Sequence, residues 1–329
     1  MHDTTLNEIP AELTEQKFDF LWLELTSRCN LRCVHCYAES SPNPRNPDVL
    51  SAKDYYKLID SAASLGCRKI QFIGGEPTLV RELPQYIIHA RNKGFDFIEV
   101  FTNATIISNQ ILSCFVDNQV AIATSFYSYR ARVHDAITKR PGSHSLTEKT
   151  IKRLLDAGLT VRVGIISMKE NKDEVDNTVS YLHSIGVRNV GIDRVRFIGR
   201  GSVLGDEKGR ESVITELCGY CWQGNLCICP DGKVVPCIMA RNWPVGSVLE
   251  QELSEIIYSQ ALHNIRSRIY KEVWLPRSQR EEEHPIYNEQ KKINTSCPPN
   301  CVPRCVPQCS PNCSPCYPYG KCNPELFPR

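Results

Sequence analysis

Three cysteines near the start of the chain, Cys29, Cys33 and Cys36, sit in the string Cys-Asn-Leu-Arg-Cys-Val-His-Cys-Tyr, directly after an apolar run at residues 18–25. Thiolates from one tight loop can take three corners of a cubane iron-sulfur cluster and leave its fourth iron open, whereas a closed structural site asks for a fourth Cys or His. A zinc knuckle is the other reading this spacing allows. A second string, Gly74-Gly75-Glu76-Pro77, ends the apolar run at residues 68–73. Its glycines permit close approach of backbone to a ligand, and its carboxylate can accept from an ammonium group. Two further polar groups close strand-like runs: Asn103, in Thr102-Asn103-Ala104-Thr105, and Ser125. A lone Ser in that place is also an ordinary cap.

The elements that must carry these groups alternate. Strand patterns are read at residues 20–26, 69–74, 96–102, 120–125, 160–166 and 189–195, and helix patterns at 52–65, 82–93, 108–117, 146–157 and 173–185. Ser51 and Ser145 are expected as N-caps, and Gly66, Gly94, Gly158 and Gly186 as helix stops. Alternation of this kind predicts a parallel sheet with crossover helices. In an α/β barrel the reactive groups lie at the C-terminal ends of the strands, where the Cys loop, the Gly-Gly-Glu-Pro string, Asn103 and Ser125 all fall. Six units rather than eight predict a partial (β/α)6 TIM-like barrel with an open side.

With 329 residues, 41% hydrophobic and 23% charged, the composition is that of an ordinary soluble protein of two domains. A net charge of +2 gives no electrostatic reason to expect nucleic acid or an anionic membrane as partner. No apolar run approaches the length of a membrane span, and residues 1–16 lack the pattern of a signal peptide. A cytoplasmic, reducing location is expected, in which 17 cysteines are metal ligands sooner than a disulfide framework. Cys67 and Cys114 stand alone in helical patterns or at their ends and read as small buried hydrophobes.

Five cysteines lie between Cys218 and Cys237 and seven between Cys297 and Cys322. Pro230-Asp231-Gly232 is a turn between two short apolar runs, so a hairpin can bring Cys221 and Cys237 together. Prolines recur through the last group at a density that excludes helix and sheet, so that segment needs metal to hold a defined shape. A zinc-binding or low-complexity tail is the alternative. Residues 277–292 read as a charged linker or surface helix.

Taken together, the CxxxCxxC loop, the GGEP string and the TNAT string, which departs from TNGT by Ala104, resemble the radical S-adenosylmethionine (radical SAM) enzymes. The resemblance implies that Cys29, Cys33 and Cys36 hold a [4Fe-4S] cluster whose open iron takes the amino and carboxylate groups of S-adenosyl-L-methionine. It also implies that Gly74, Gly75, Glu76, Pro77, Asn103 and Ser125 bind that cofactor, and that reduction yields a 5′-deoxyadenosyl radical. The second Cys group resembles the SPASM extension of this family. Cys218, Cys221 and Cys237, with Gly232 between, and then Cys313, Cys316 and Cys322, are implied as ligands of one or two auxiliary clusters; the family's following Cys falls at Leu326.

The expected organisation is an N-terminal extension at 1–17, a radical SAM core at 18–205 and a Cys-rich SPASM-like domain at 206–329. Residues 1–17 are too few for a separate leader-recognition domain. Relatives with this extension imply a peptide or protein substrate, with flavodoxin or ferredoxin as reductant. A small-molecule precursor such as a tetrapyrrole, and a non-catalytic iron-sulfur or zinc scaffold, are the alternatives. No general acid or base stands out. Asp193 and Arg196 read as an ion pair or a substrate clamp, with Arg162 and Arg140 under similar suspicion.

Overall fold

In the computed structural model, which describes residues 17–45, 47–204 and 214–278, one nine-stranded sheet organises the chain. The parallel strands β1 (Phe20–Glu24), β2 (Lys69–Ile73), β3 (Phe97–Phe101), β4 (Ala121–Ser125), β5 (Val161–Ser167) and β6 (Asn189–Arg194) lie side by side in sequence order. This is the expected partial barrel. All five residues of β1 are buried, as a central parallel strand covered on both faces requires. Leu21, Phe72, Ile98, Ile122 and Val163 carry the core from strand to strand.

The crossover helices are α1 (Ala52–Ser64), α2 (Leu83–Asn92), α3 (Asn109–Asp117), α4 (Ala131–Thr138), α5 (Ser143–Asp156) and α6 (Val175–Ser184). Ser51 caps α1 in a reciprocal box with Asp54. Gly66, Gly94, Gly158 and Gly186 all take positive φ just after helices, as expected.

Two expectations need correction. Helix α4 was not foreseen, and Ser145 lies inside α5 instead of capping it. The N-terminus of α5 is held from α4: Asp135 accepts from Gly142 N (2.7 Å), His144 N (2.8 Å) and Ser143 Oγ (2.8 Å). A cap supplied by the preceding helix leaves no local signal.

Beyond β1 the sheet continues. Strand β7 (Asn225–Ile228) pairs parallel to β1 from Phe20↔Asn225 to Leu23↔Ile228, and the hairpin across Asp231-Gly232 returns as β8 (Lys233–Val235), with β9 (Gly246–Ser247) at the edge. Two helices follow, α7 (Leu253–Ile257) and α8 (Gln260–Ile269). The second Cys group is thus built onto the first strand of the barrel, and one apolar core runs from Phe18 to Val273. Among the described residues no helix is long and apolar enough to cross a membrane.

Candidate active site

The loop after β1 is braced from both sides. From β2, Gly75 N donates to Thr26 O (2.6 Å) and Glu76 N to Arg28 O (2.8 Å), so the Gly-Gly-Glu turn runs against the backbone that leads into Cys29. A Cβ on Gly74 would stand 2.6 Å from Thr26 O, and one on Gly75 2.1 Å from Arg28 O. The glycines are therefore demanded by the chain's own backbone before any ligand is considered. From the segment after β6, Arg200 donates through Nε to Cys33 O (2.8 Å) and through Nη2 to Ser40 O (2.7 Å), and its amide reaches Cys36 O at 3.0 Å.

Within this brace the three thiols line one pocket with Gly74, Gly75, Asn103 and Ser125. Asn103 Nδ2 donates to Cys29 Sγ (3.6 Å) and to Asn30 Oδ1 (2.7 Å). Burial, with Glu76 and Cys36 nearby, pushes the Cys29 thiol up to about 12. Burial, with Cys36 and Cys29 beside it, raises Cys33 as well. Crowded, buried thiols of this kind ionise only against a strong cation, which is what an iron-sulfur cluster supplies.

Leu31, Ile73, Phe101, Ile166 and Met239 give the wall an apolar part, and Asp193, Arg194, Arg196 and Arg200 a charged one. Burial, helped by Arg200, drops His35 to about 4, and burial with His144 nearby drops His134 to about 3. Both line the pocket uncharged near neutral pH, and His35 Nδ1 and His134 Nε2 are buried without a hydrogen-bond partner. Such unsatisfied polar atoms in a pocket wall suit a bound polar ligand. The donor set, the orphan ring nitrogens and the close backbone approach fit a cubane cluster with a small polar cofactor.

Glu76 is set differently from its neighbours. Only 1% exposed, its carboxylate accepts from Thr78 N (3.1 Å), Thr78 Oγ1 (2.7 Å), Thr102 Oγ1 (2.6 Å) and Asn103 N (2.7 Å), which ties the loop after β2 to the loop after β3. Pro77 opens a short 3₁₀ turn behind it. Asp193 and Arg196 form a buried pair at 2.8 Å in the pocket wall, and Arg196 Nη1 also donates to Glu216 O (2.5 Å). Arg162 is a barrel-interior residue, bidentate to Glu99 at 2.7 and 2.8 Å, and Arg140 donates to Asn30 O at 3.4 Å.

Sequence reasoning passed over Arg200 and Tyr127. Tyr127, hydrogen-bonded to Ser125 and Cys33, belongs to a small apolar cluster with Ile137, Ile166 and Met168 under the Cys loop. No spacing rule links residues this far apart.

In the second Cys group, Cys221 is in hydrogen-bonding contact with both Cys218 and Cys237. The thiolate form of Cys218 is favoured by that contact, which lowers it, while Cys221 is raised. Cys227 and Cys229 form a separate contact beside Glu24 and Arg241. Cys313, Cys316 and Cys322 lie outside the described residues.

The family model described as the radical SAM superfamily matches residues 23–182, which hold the Cys loop, the Gly-Gly-Glu-Pro string, Asn103 and Ser125. The chain carries a radical SAM domain. The model described as an iron-sulfur cluster-binding domain, SPASM, matches residues 218–301, so that match takes in Cys218, Cys221 and Cys237 and ends before Cys313. The radical SAM chain is similar to the antilisterial bacteriocin subtilosin biosynthesis protein AlbA of Bacillus subtilis, 28% identical over 272 residues, covering 74% of this chain and 60% of that protein. It is similar also to the sporulation killing factor maturation protein SkfB of the same organism (25% over 275 residues, 71% and 63%) and to Fe-coproporphyrin III synthase of Methanosarcina barkeri (26% over 204 residues, 61% and 50%). The chain thus spans between 50% and 63% of the length of these relatives. In fold it is similar to Streptococcus suis SuiB bound to precursor peptide SuiA, with a TM-score of 0.63 at 14% identity, covering 81% of this chain and 75% of that one.

Proposed function

We propose that this radical SAM protein matures a ribosomally made peptide or protein side chain. The observation that carries the reading is the convergence of Cys29, Cys33 and Cys36 with Gly74, Gly75, Asn103 and Ser125 on one pocket. Its similarity to AlbA and SkfB, named for bacteriocin biosynthesis and killing-factor maturation, supports a peptide substrate.

A [4Fe-4S] cluster on the three thiols, with S-adenosyl-L-methionine on its open iron and an electron from a flavodoxin or ferredoxin, would supply a 5′-deoxyadenosyl radical. The protein's own part is positioning and exclusion. Asn103 steadies Cys29, Arg200 fixes the carbonyls of Cys33 and Ser40, and Glu76 sets the amide of Asn103. Leu31, Ile73, Phe101, Ile166 and Met239 keep water and stray hydrogen donors from the reacting carbon. Residues 18–205 form the radical core in this proposal, and the Cys-rich part from 206 holds one or two auxiliary clusters through Cys218, Cys221, Cys237, Cys313, Cys316 and Cys322. Clusters held there would supply an acceptor for the electron that a substrate radical gives up as the oxidised product forms, in a cytoplasmic setting.

Anaerobic reconstitution with iron and sulfide, then reduction in the presence of S-adenosylmethionine, should release 5′-deoxyadenosine. Replacing Cys29, Cys33 and Cys36 together by Ala should abolish that release while iron on the second Cys group stays bound. Full cluster loading with no deoxyadenosine would return the chain to a non-catalytic scaffold. Similarity to Fe-coproporphyrin III synthase favours the second reading, a small-molecule precursor such as a tetrapyrrole. A change in mass of a candidate peptide, set against conversion of a porphyrin, separates the two.

A further inference from the structure

Next to the thiol pocket, and sharing its walls at Leu31, Ser40 and Arg200, lies a cavity of about 880 Å³. Its lining carries six cationic side chains against three carboxylates. Arg32, Arg45, Lys139, Arg140 and Arg200 line it, and among the described residues none of the five meets a carboxylate. Arg200 and Arg140 spend their hydrogen bonds on backbone carbonyls, which leaves their charge uncompensated. Of the acids in the same walls, Glu24 is paired with Arg241 and Asp231 with Lys233, so only Glu39 offers free negative charge. The whole chain carries a net charge of only +2, so this concentration is local.

A concave surface with an excess of one sign focuses its potential and draws in the opposite charge. Two of its residues, Glu39 (φ 54°) and Lys139 (φ 58°), hold left-handed backbone without being glycine, a conformation that persists only where surrounding structure enforces it. The cavity, about 880 Å³, also has room for several side chains of an extended segment.

We infer that this groove receives an acidic stretch of the peptide substrate, holding Asp or Glu residues that flank the modified position while the target side chain enters the thiol pocket. The inference rests on the peptide reading of the same site. It gives that substrate a chemistry: carboxylates within a few residues of the modification.

The test is fluorescence anisotropy on the cluster-loaded full chain, with two labelled peptides of repeated Glu-Ala-Gly or Gln-Ala-Gly. The acidic peptide should bind at least about tenfold tighter, and the preference should fade as ionic strength rises from about 0.05 to 0.5 M. Arg45→Gln with Lys139→Gln, both exposed, should remove most of the preference, whereas Lys149→Gln with Lys172→Gln, an equal charge change elsewhere, should leave it. Equal binding of the two peptides, or equal loss in both double variants, overturns the proposal. So does acidic-peptide binding that emerges only after Glu281, Glu282 and Glu283 are changed to Gln, because the chain's own acidic run would then be the occupant. Deoxyadenosine release is scored separately: its absence with the preference intact sinks the enzymatic reading alone, and its presence without the preference sinks the groove alone.

Discussion

The carboxylate of Glu76 accepts the backbone N–H of Asn103 at 2.7 Å, so the residue after the paired glycines fixes the residue that touches Cys29. Burial raises the Glu76 carboxyl above its ordinary value, even though Thr102, Thr78 and Asn103 donate to it. In Glu76→Gln one acceptor becomes a donor and must face a group that already donates. A buried mismatch of that kind costs about 1–3 kcal/mol. We expect a lower urea midpoint together with a slower release of deoxyadenosine. A variant that unfolds earlier but cleaves the cofactor normally would show that Asn103 does not need this support.

Arg200 bridges the end of the barrel and the Cys loop by donating to Cys33 O and Ser40 O at once, while Cys33 O also accepts from Cys36 N at 3.3 Å. Lysine is a single-headed donor and cannot span both. Arg200→Lys should therefore load iron on the first loop but lose it faster under chelation than the parent. The decay of the charge-transfer absorbance against time in EDTA measures this, with iron on the second Cys group as the internal reference.

Ala104 is fully buried with φ 55°, where the resembled family carries Gly. Left-handed backbone costs a residue with a Cβ about 1–2 kcal/mol, and part of the relief from Gly is offset by its freer unfolded chain. Ala104→Gly should raise stability by about 0.5–1 kcal/mol, a rise in Tm of about 1–4 °C for a domain of this size. Calorimetry of the apo protein decides it, and a fall in Tm would mean that the methyl group packs well enough to outweigh the strain.

The barrel-interior pair of Arg162 with Glu99 separates a structural ion pair from a substrate clamp. Removing one partner strands the other charge, whereas replacing both with apolar groups does not. Arg162→Met should cost about 3–5 kcal/mol, and adding Glu99→Leu should restore much of it. Urea titrations of the three variants test this. A single variant of normal stability with impaired turnover would return Arg162 to the substrate.

Much of this arrangement is legible in the residues because its signals are local. Strand runs, the Ser51 box and glycines at helix ends each lie within a few positions of what they control. What escaped depends on contacts distant in the chain. Helix α4 has Arg130 at its N-cap with no side-chain cap bond and Lys139 at its C-cap in left-handed backbone instead of glycine, so neither boundary is marked. The docking of β7 on β1 joins Phe20 to Asn225, far apart in the chain, and the hairpin turn says nothing of where the hairpin lands. Arg200 meets Cys33 and Ser40 across 167 and 160 positions of chain, so nothing near it in the sequence marks its role. Cys313, Cys316 and Cys322 keep the standing of a spacing, since they lie outside the described residues.

Asp135 offers the cleanest pH test, because its role is structural and it lies outside the thiol pocket's lining. Burial raises its carboxyl, but the donors His144 N, Gly142 N and Ser143 Oγ outweigh that and hold it below its ordinary 3.8. A depressed carboxyl stabilises the fold above the unfolded-state value and loses that contribution as pH falls through the folded-state value. Asp135→Asn, which can accept at only one atom, should cost about 1–2 kcal/mol at neutral pH, the range of a lost helix cap. The gap between parent and variant should hold at neutral pH and narrow as pH falls below 3.8. Denaturant midpoints of both proteins across that range test the sign, and a gap that widens toward acid would show that some other group carries the N-terminus of α5.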